Sequence, residues 1–341
     1  MNVAISLFGT CATKVGGLGR WLGLLHAIRS EGSQVMSIHS ANIDLYIAVD
    51  HSDLNLRCVS NRLPKASRVL ILREGPSIRP DQYKERVLNQ YSRVFLSTPK
   101  PLLLDSHRAG GNLFTVPYQD GFLKPIVRRQ MVSKRQRRSL CMVNENKFSL
   151  HAASNYHLRQ HALCQLSRAG IEVTVAGKHW LAGKRLYFSQ QFKSALFLFS
   201  CSTRVRIQNL RGPLSKTALR HLTFVGYIDD LDTFFNQFEF VLIIENDNIR
   251  VTEKFFNALA SGCIPIYFGP NLDDFGIPRD IYVRLNNPQE IVSTVKRVEL
   301  LSDLDVSAMQ DKGESWILSQ QTQDRWSEEL SMMRLWSLVK K

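Results

Sequence analysis

Cysteine is scarce in this 341-residue chain: there are six, and none forms a C-x-x-C pair. That scarcity excludes a disulfide scaffold and the usual zinc-ribbon spacing. Cys11, Cys58, Cys141, Cys164, Cys201 and Cys263 are scattered, several in apolar stretches where buried thiols are ordinary, so a reduced, intracellular protein is expected. No apolar run reaches the ~18 residues of a membrane span. The opening stretch, residues 1–9, lacks the basic leader and the length of a signal peptide and reads as a first strand. No internal repeat is present, which excludes a solenoid. Acidic residues are also in deficit, 30 against 44 lysines and arginines, for a net charge of +14. Such a balance favours anionic partners, whether nucleotides, nucleic acid or an acidic membrane face, without choosing among them.

What is present is enough apolar matter for two domains: 44% of residues are hydrophobic and 22% charged. Strand and helix patterns alternate. Residues 3–8, 34–38, 44–49, 69–72 and 93–97 read as strands, with helical spacing at Trp21, Leu22, Leu24, Leu25 and Ile28 and again over 83–91. After a basic stretch, 124–138, the alternation resumes: strands at 139–143, 172–176, 222–225 and 240–244, helices at 158–167 and 231–237. Alternation of this kind implies parallel sheets. The expected organisation is an N-terminal domain over 1–123, a connector over 124–138, a second domain over 139–314 and an amphipathic helix over 315–341. Both domains are expected to be Rossmann-like and to face a cleft. Residues 181–220 fit no pattern.

The densest polar grouping lies in residues 240–269. An apolar strand ends in Glu245-Asn246, a short loop follows, and a helix opens at Thr252-Glu253-Lys254. The carboxyl end of a strand followed by a helix start is where open α/β sheets bind ligands, and free N–H groups there favour anions. Lys254 in the first turn opposes the helix-dipole preference for acids, which points to an anionic ligand. A nucleotide-sugar diphosphate needs cations at its phosphates, a task for Lys254, and acceptors at its hydroxyls, a task for Glu253. Asn246 and Arg250 line the same loop. The competing reading is a polar loop capping a helix, with Thr252 as N-cap.

These residues resemble the signature of the family 10 glycosyltransferases, the α-1,3/α-1,4-fucosyltransferases: a strand ending in Glu-Asn, then Val251-Thr252-Glu253-Lys254, a helix of small residues, and Ile264-Pro265-Ile266-Tyr267-Phe268-Gly269. A second segment, Asn155–Gln160, is similar to the family's Asn-x-x-x-Arg-Asn, which implies that Arg159 clamps the donor pyrophosphate. A third, Glu74-Gly75-Pro76-Ser77, resembles the family's Glu-Ser-Pro-Ser and implies that Glu74 is the base that deprotonates the acceptor hydroxyl. The resemblance implies a GT-B architecture, an acceptor-binding N-terminal domain, GDP-β-L-fucose as donor in the C-terminal domain, and inverting transfer. Arg159 and Lys254 would then supply fixed positive charge in place of a metal ion, with no tightly bound cofactor. Arg250 stands where the family carries tyrosine, and the loop after Asn246 is shorter.

The implied partners are GDP-fucose and an oligosaccharide or lipid-linked glycan acceptor, with an anionic membrane surface as a further contact and no nucleic acid. The implied place is the cytoplasm, peripheral to the inner face of the plasma membrane. Two rivals stand beside this reading: a family 10-like transferase with a different nucleotide sugar, and a non-enzymatic nucleic-acid-binding protein favoured by the charge. Other signals have plainer accounts. Gly16-Gly17-Leu18-Gly19 fails the dinucleotide fingerprint because Leu22 holds the third glycine position. Asp229-Asp230-Leu231-Asp232 is expected to cap a helix rather than bind metal, and His157 with His161 lacks a third zinc ligand. Trp326 and neighbouring apolar residues are expected to pack the C-terminal helix across the first domain, while its end, with Trp336 and Leu338, is expected to meet a membrane.

Overall fold

Two apolar runs, Leu45–Val49 and Phe240–Ile244, bury every side chain. Unbroken burial over five residues marks a strand covered on both faces, the condition of a parallel sheet interior. Each run sits inside one of two sheets. The computed structural model describes residues 1–7, 10–11, 21–72, 75, 80–96, 113–115, 140–146, 154–178, 180, 220–326 and 328–340. The chain divides into one unit of Met1–Lys124 with Gln320–Lys341 and a second of Pro125–Ser319. The basic stretch 124–138, the glycines near residue 17 and residues 181–219 lie outside the described residues.

In the first unit, β1 (Asn2–Leu7) pairs in parallel with β3 (Gln34–Met36) on one side and β4 (Leu45–Val49) on the other. The sheet continues through β5 (Arg68–Leu72), β6 (Arg93–Leu96) and β7 (Leu113–Thr115), all parallel. A two-residue antiparallel strand, β2 (Thr10–Cys11), folds back beside the end of β1. The period of two along each strand splits the core. Val3, Ile5, Ile47, Val49, Ile71 and Phe95 face helix α1 (Leu22–Ser30). Ala4, Tyr46, Ala48, Leu70 and Leu96 face α2 (Asp53–Ser60), together with Val87 and Leu88 of the short α3 (Glu85–Leu88). The helix expected over 83–91 is shorter than its pattern suggests. Pro80–Tyr83 forms a 3-10 turn before it, and Ser92 N–H donates to Arg68 O as the chain enters β6.

The second unit is a six-stranded, fully parallel sheet in the order β10-β9-β8-β11-β12-β13. Its strands are β8 (Leu140–Val143), β9 (Val173–Ala176), β10 (Leu222–Gly226), β11 (Phe240–Ile244), β12 (Ile264–Phe268) and β13 (Val283–Arg284). Counted from the first strand, this is the order 3-2-1-4-5-6 of nucleotide-binding sheets. Helix α4 (Tyr156–Arg168) crosses from β8 to β9 and ends at Gly170, whose φ of 76° admits the left-handed turn. Ile171 N–H returns to Leu166 O, and Gly170 N–H to Ser167 O. Helix α5 (Leu231–Phe235) is capped by Asp230, whose carboxylate accepts the N–H groups of Asp232 and Thr233, as the acidic run predicts. Helix α6 (Glu253–Ala260) follows β11 and buries Phe255, Phe256, Ala258 and Leu259. Helix α7 (Ile291–Glu299) packs with α4 over the face formed by Met142, Val173, Leu242 and Ile266.

The C-terminal region packs with the first unit as expected, but not as the single helix expected over 315–341. Helix α8 runs Asp303–Leu318 and opens with a capping box in which Ser302 and Asp305 bond reciprocally. The chain then breaks at Ser319 into α9 (Gln320–Trp326) and α10 (Glu328–Val339). Helix α10 packs against α1, and Met332, Leu335, Trp336 and Val339 belong to the first unit's core. Trp336, read in sequence as a membrane contact, is 1% exposed, and its indole N–H donates to Glu31 at 2.9 Å. Lys340 bonds the same carboxylate, and Arg93 donates to Leu338 O. Among the described residues no helix is long and apolar enough to cross a membrane.

Candidate functional site

In a 3-2-1-4-5-6 sheet the crossovers diverge between the first and fourth strands, leaving an opening at their carboxyl ends where ligands bind. Here those strands are β8 and β11. Backbone bonds hold the opening's rim beyond the strands themselves: Asn144 N–H donates to Ala176 O, Asn146 N–H to Lys178 O, and Glu245 N–H to Phe268 O. Gly177 is required in this rim. Its φ is 127°, and a Cβ there would lie 2.0 Å from Asn144 O. Trp180 completes the turn by donating its indole N–H to that same carbonyl at 2.7 Å.

Arg159 stands in the first turns of α4, and the sheet brings it to the end of β11. It is 3% exposed. Its guanidinium donates twice to Ile244 O, at 3.0 and 2.8 Å, and once to Asn246 Oδ1 at 2.8 Å. It also stacks over Tyr156, 4.6 Å from the ring centre. A planar fork is suited to this task, because one side chain can satisfy a strand-end carbonyl and orient a neighbouring amide together. Asn155 reinforces the link: its N–H donates to Asn246 O at 2.8 Å, and its side-chain amide to Asn248 Oδ1 at 2.9 Å. Asp247 is buried and turns the loop by accepting Ile249 N–H.

The loop closes onto α6 through Glu245, whose Oε1 accepts Thr252 N–H at 2.7 Å. Thr252 holds the N-cap position, yet its hydroxyl makes no capping bond. Lys254 and Glu253 follow on the first turn, half-buried, with Nζ and Oε1 3.6 Å apart. Arg250 is half-buried at the end of the loop. The sequence-derived residues Arg159 and Asn246 are therefore in direct contact, and Glu245 joins them to the turn bearing Glu253 and Lys254.

Glu245 is the site residue to which the sequence assigned no role. It is 1% exposed, and burial pushes its pKa up to about 7 against the opposing pull of Lys254 and Thr252. Gly269 lets it fit: a Cβ at that position would lie 2.7 Å from both Glu245 Cγ and the Tyr267 hydroxyl. Burial also raises the Tyr267 pKa, with the Glu245 charge adding to the effect, so its phenol keeps its proton. The signal for this arrangement was present in Ile-Tyr-Phe-Gly as a glycine directly after a strand, where a close approach is expected.

Glu74 lies outside the described residues. Its strand, β5, ends at Leu72 between β4 and β6. The first unit has a divergence point of its own, between β1 and β4. There Asp50 adopts φ 56°, and His51 pairs through Nδ1 with the Tyr91 hydroxyl (2.9 Å) and through Nε2 with Asp53 (3.0 Å). His51 N–H donates to Gln82 Oε1 at 2.7 Å. The bond from His51 holds the Asp53 carboxyl below its usual range.

No protein-family model matches the chain. Over 83 residues it is 40% identical to an α-(1,4)-fucosyltransferase of Arabidopsis thaliana, covering 23% of this chain and 21% of that protein. Over 120 residues it is 29% identical to a fucosyltransferase-like protein of the same plant, covering 32% of this chain and 23% of that protein. The matched stretches thus span less than a quarter of these relatives. Solved structures match throughout. Anabaena HepE in complex with UDP superimposes with a TM-score of 0.59 at 10% identity, over 100% of both chains. An α1,3-fucosyltransferase gives 0.58 at 12% identity, over 100% of this chain and 90% of that one. The T4 phage β-glucosyltransferase gives 0.53 at 14%, over 99% of each. The chain therefore has the GT-B fold of glycosyltransferases, and in limited stretches its sequence is similar to plant fucosyltransferases.

Proposed function

We propose that the chain is an inverting glycosyltransferase that moves L-fucose from GDP-β-L-fucose to a hydroxyl of a glycan acceptor. The observation that carries this reading is the joining of Arg159, Asn246, Glu253 and Lys254 at the divergence point of a nucleotide-type sheet. The limited similarity to plant fucosyltransferases supports fucose as the sugar. In this reading the diphosphate docks at the start of α6, where the helix dipole and the Lys254 ammonium meet it. Glu253 accepts hydroxyls of the ribose, and Arg159 adds positive charge at the end of β11. Arg250 lies on the sugar side and sets donor preference.

Transfer proceeds in one displacement. The acceptor O–H gives its proton to Glu74, and the oxygen attacks the anomeric carbon from the face opposite GDP. The carbon–oxygen bond to GDP breaks, and GDP leaves with the electron pair. The β-linked donor thus becomes an α-fucoside. Fixed side-chain charge stabilises the departing diphosphate, so chelation by EDTA leaves the rate unchanged. The acceptor is an oligosaccharide or lipid-linked glycan.

A donor panel tests the reading. GDP-fucose, GDP-mannose, UDP-sugars and CMP-sugars are compared by thermal stabilisation and then by turnover. GDP-fucose is expected to stabilise most and to be the one turned over. Turnover with a UDP-sugar would replace the donor while keeping the enzyme class. Salt-dependent binding to RNA or DNA, with no response to any nucleotide sugar, would overturn the reading altogether.

A further inference from the structure

Glu245 is a carboxyl group sealed behind the candidate diphosphate site, and its surroundings leave it delicately placed. From α6 it faces Lys254, which draws its pKa down, and Glu253, which pushes it up. From the loop it receives Thr252 N–H. From β12 it meets the Tyr267 hydroxyl, while Gly269 closes over its Cγ. Arg284 of β13 lies over the Tyr267 ring, 5.7 Å from its centre, and its guanidinium is bound to the carbonyls of Gly269 and Pro270. Arg159 of α4 reaches the same strand end but is directed to Ile244 O and Asn246. Arg250 is half-buried in the same loop, and among the described residues Lys254 is a cation whose charge lowers the Glu245 pKa against the cost of burial.

We propose that Glu245 is a positioning residue that takes up a proton when an anionic diphosphate docks on Lys254, and gives it back when the diphosphate leaves. The inference rests on the proposed nucleotide-binding role of this site. A diphosphate compensates the Lys254 ammonium and adds negative charge nearby. Both effects disfavour a buried carboxylate. A proton from solvent then adds to the carboxyl oxygen not held by Thr252, and the bond to Thr252 N–H, which fixes the first turn of α6, is kept. In the free protein this carboxyl already titrates near neutrality, at about 7, so the coupling operates in the ordinary working range.

The sign for the free protein follows from linkage. The folded pKa is raised above the ordinary 4.5. The stability contribution of Glu245 is therefore full below that value and is lost as pH rises through about 7.

The test is calorimetric titration of GDP and of inorganic pyrophosphate at pH 7.5, in buffers of different ionisation enthalpy, on the wild-type protein and on Glu245→Gln. The variant comparison subtracts the phosphate's own protonation. Wild type is expected to take up roughly half a proton more than the variant. Difference infrared spectra of the wild type on adding GDP should show the carbonyl band of a newly protonated carboxyl, a readout that holds even if the variant does not fold. Binding with equal proton counts and no such band would overturn the inference and leave the nucleotide site intact. Absence of binding by both GDP and pyrophosphate would overturn the site reading and the inference with it.

Discussion

The two sheets have similar architecture but place different chemistry at their divergence points. In the second unit the end of β11 and the start of α6 gather Arg159, bound to the Ile244 carbonyl, and Lys254, paired with Glu253. In the first, the end of β4 gathers Asp50, His51, Asp53, Gln82 and Tyr91, a hydrogen-bonded network centred on a histidine, with Arg57 and Arg86 near enough to help hold the Asp53 carboxyl below its usual range. Parallel sheets concentrate polar side chains at carboxyl ends because their faces are sealed by helices. The side chains brought there then sort the ligands. Under the proposed function the anion docks at the second unit and the hydroxyl-bearing acceptor at the first.

The strongest way to break this contrast is to separate binding from transfer. Lys254→Ala is expected to weaken GDP binding and to lower turnover about a hundredfold or more. Glu74→Gln is expected to leave GDP binding intact while lowering turnover by roughly 10²–10⁴. Calorimetry and a fucosyl-transfer assay on both variants decide the matter. Loss of GDP binding in Glu74→Gln would erase the division of labour between the units. A smaller effect is expected for Trp336→Ala, which removes a fully buried indole from the first unit's core and should cost about 3–5 kcal/mol, read by chemical denaturation. Folded protein should still bind GDP with wild-type affinity. Smaller again is Arg159→Lys. An ammonium cannot reproduce the fork that serves Ile244 O and Asn246 together, so a loss of about 1–3 kcal/mol in stability is expected. Equal stability and affinity would mean that the charge alone matters at that position.

Much of the second unit was legible in sequence. Phe240–Ile244 announces a doubly covered strand by composition, and Gly262 announces the end of α6, where Cys263 N–H returns to Ala258 O. Lys254 stood out because it opposes the dipole of its helix. Arg159 was picked out by the resemblance of Asn155–Gln160 to a family motif, but a sequence does not say which way a long side chain points. That the guanidinium turns inward to a strand-end carbonyl emerges only from packing. Glu245 was visible as a polar residue closing an apolar strand, yet its burial depends on Gly269, which is 24 residues away and comes alongside through the pairing of β11 with β12. The start of α8 was missed because its first turn alternates aspartates with Leu304, which is exposed, and Val306, which is buried, so it shows little helical periodicity; Ser302 and Asp305 carried the capping signal. In the first unit, strand patterns held to within a residue or two, whereas the network around His51 joins positions up to 40 residues apart that no local pattern connects.

The return of α10 to the first unit has a consequence for biosynthesis. Trp336, with Met332, Leu335 and Val339, completes a core whose remaining members lie before residue 100, so more than two hundred residues must leave the ribosome before that core is complete. The second unit draws on one continuous stretch, Pro125–Ser319, and can mature while the chain is still being made. The order of assembly would thus invert the order of synthesis, with the earlier-made sheet waiting, partly uncovered along α1, for the last helix to arrive.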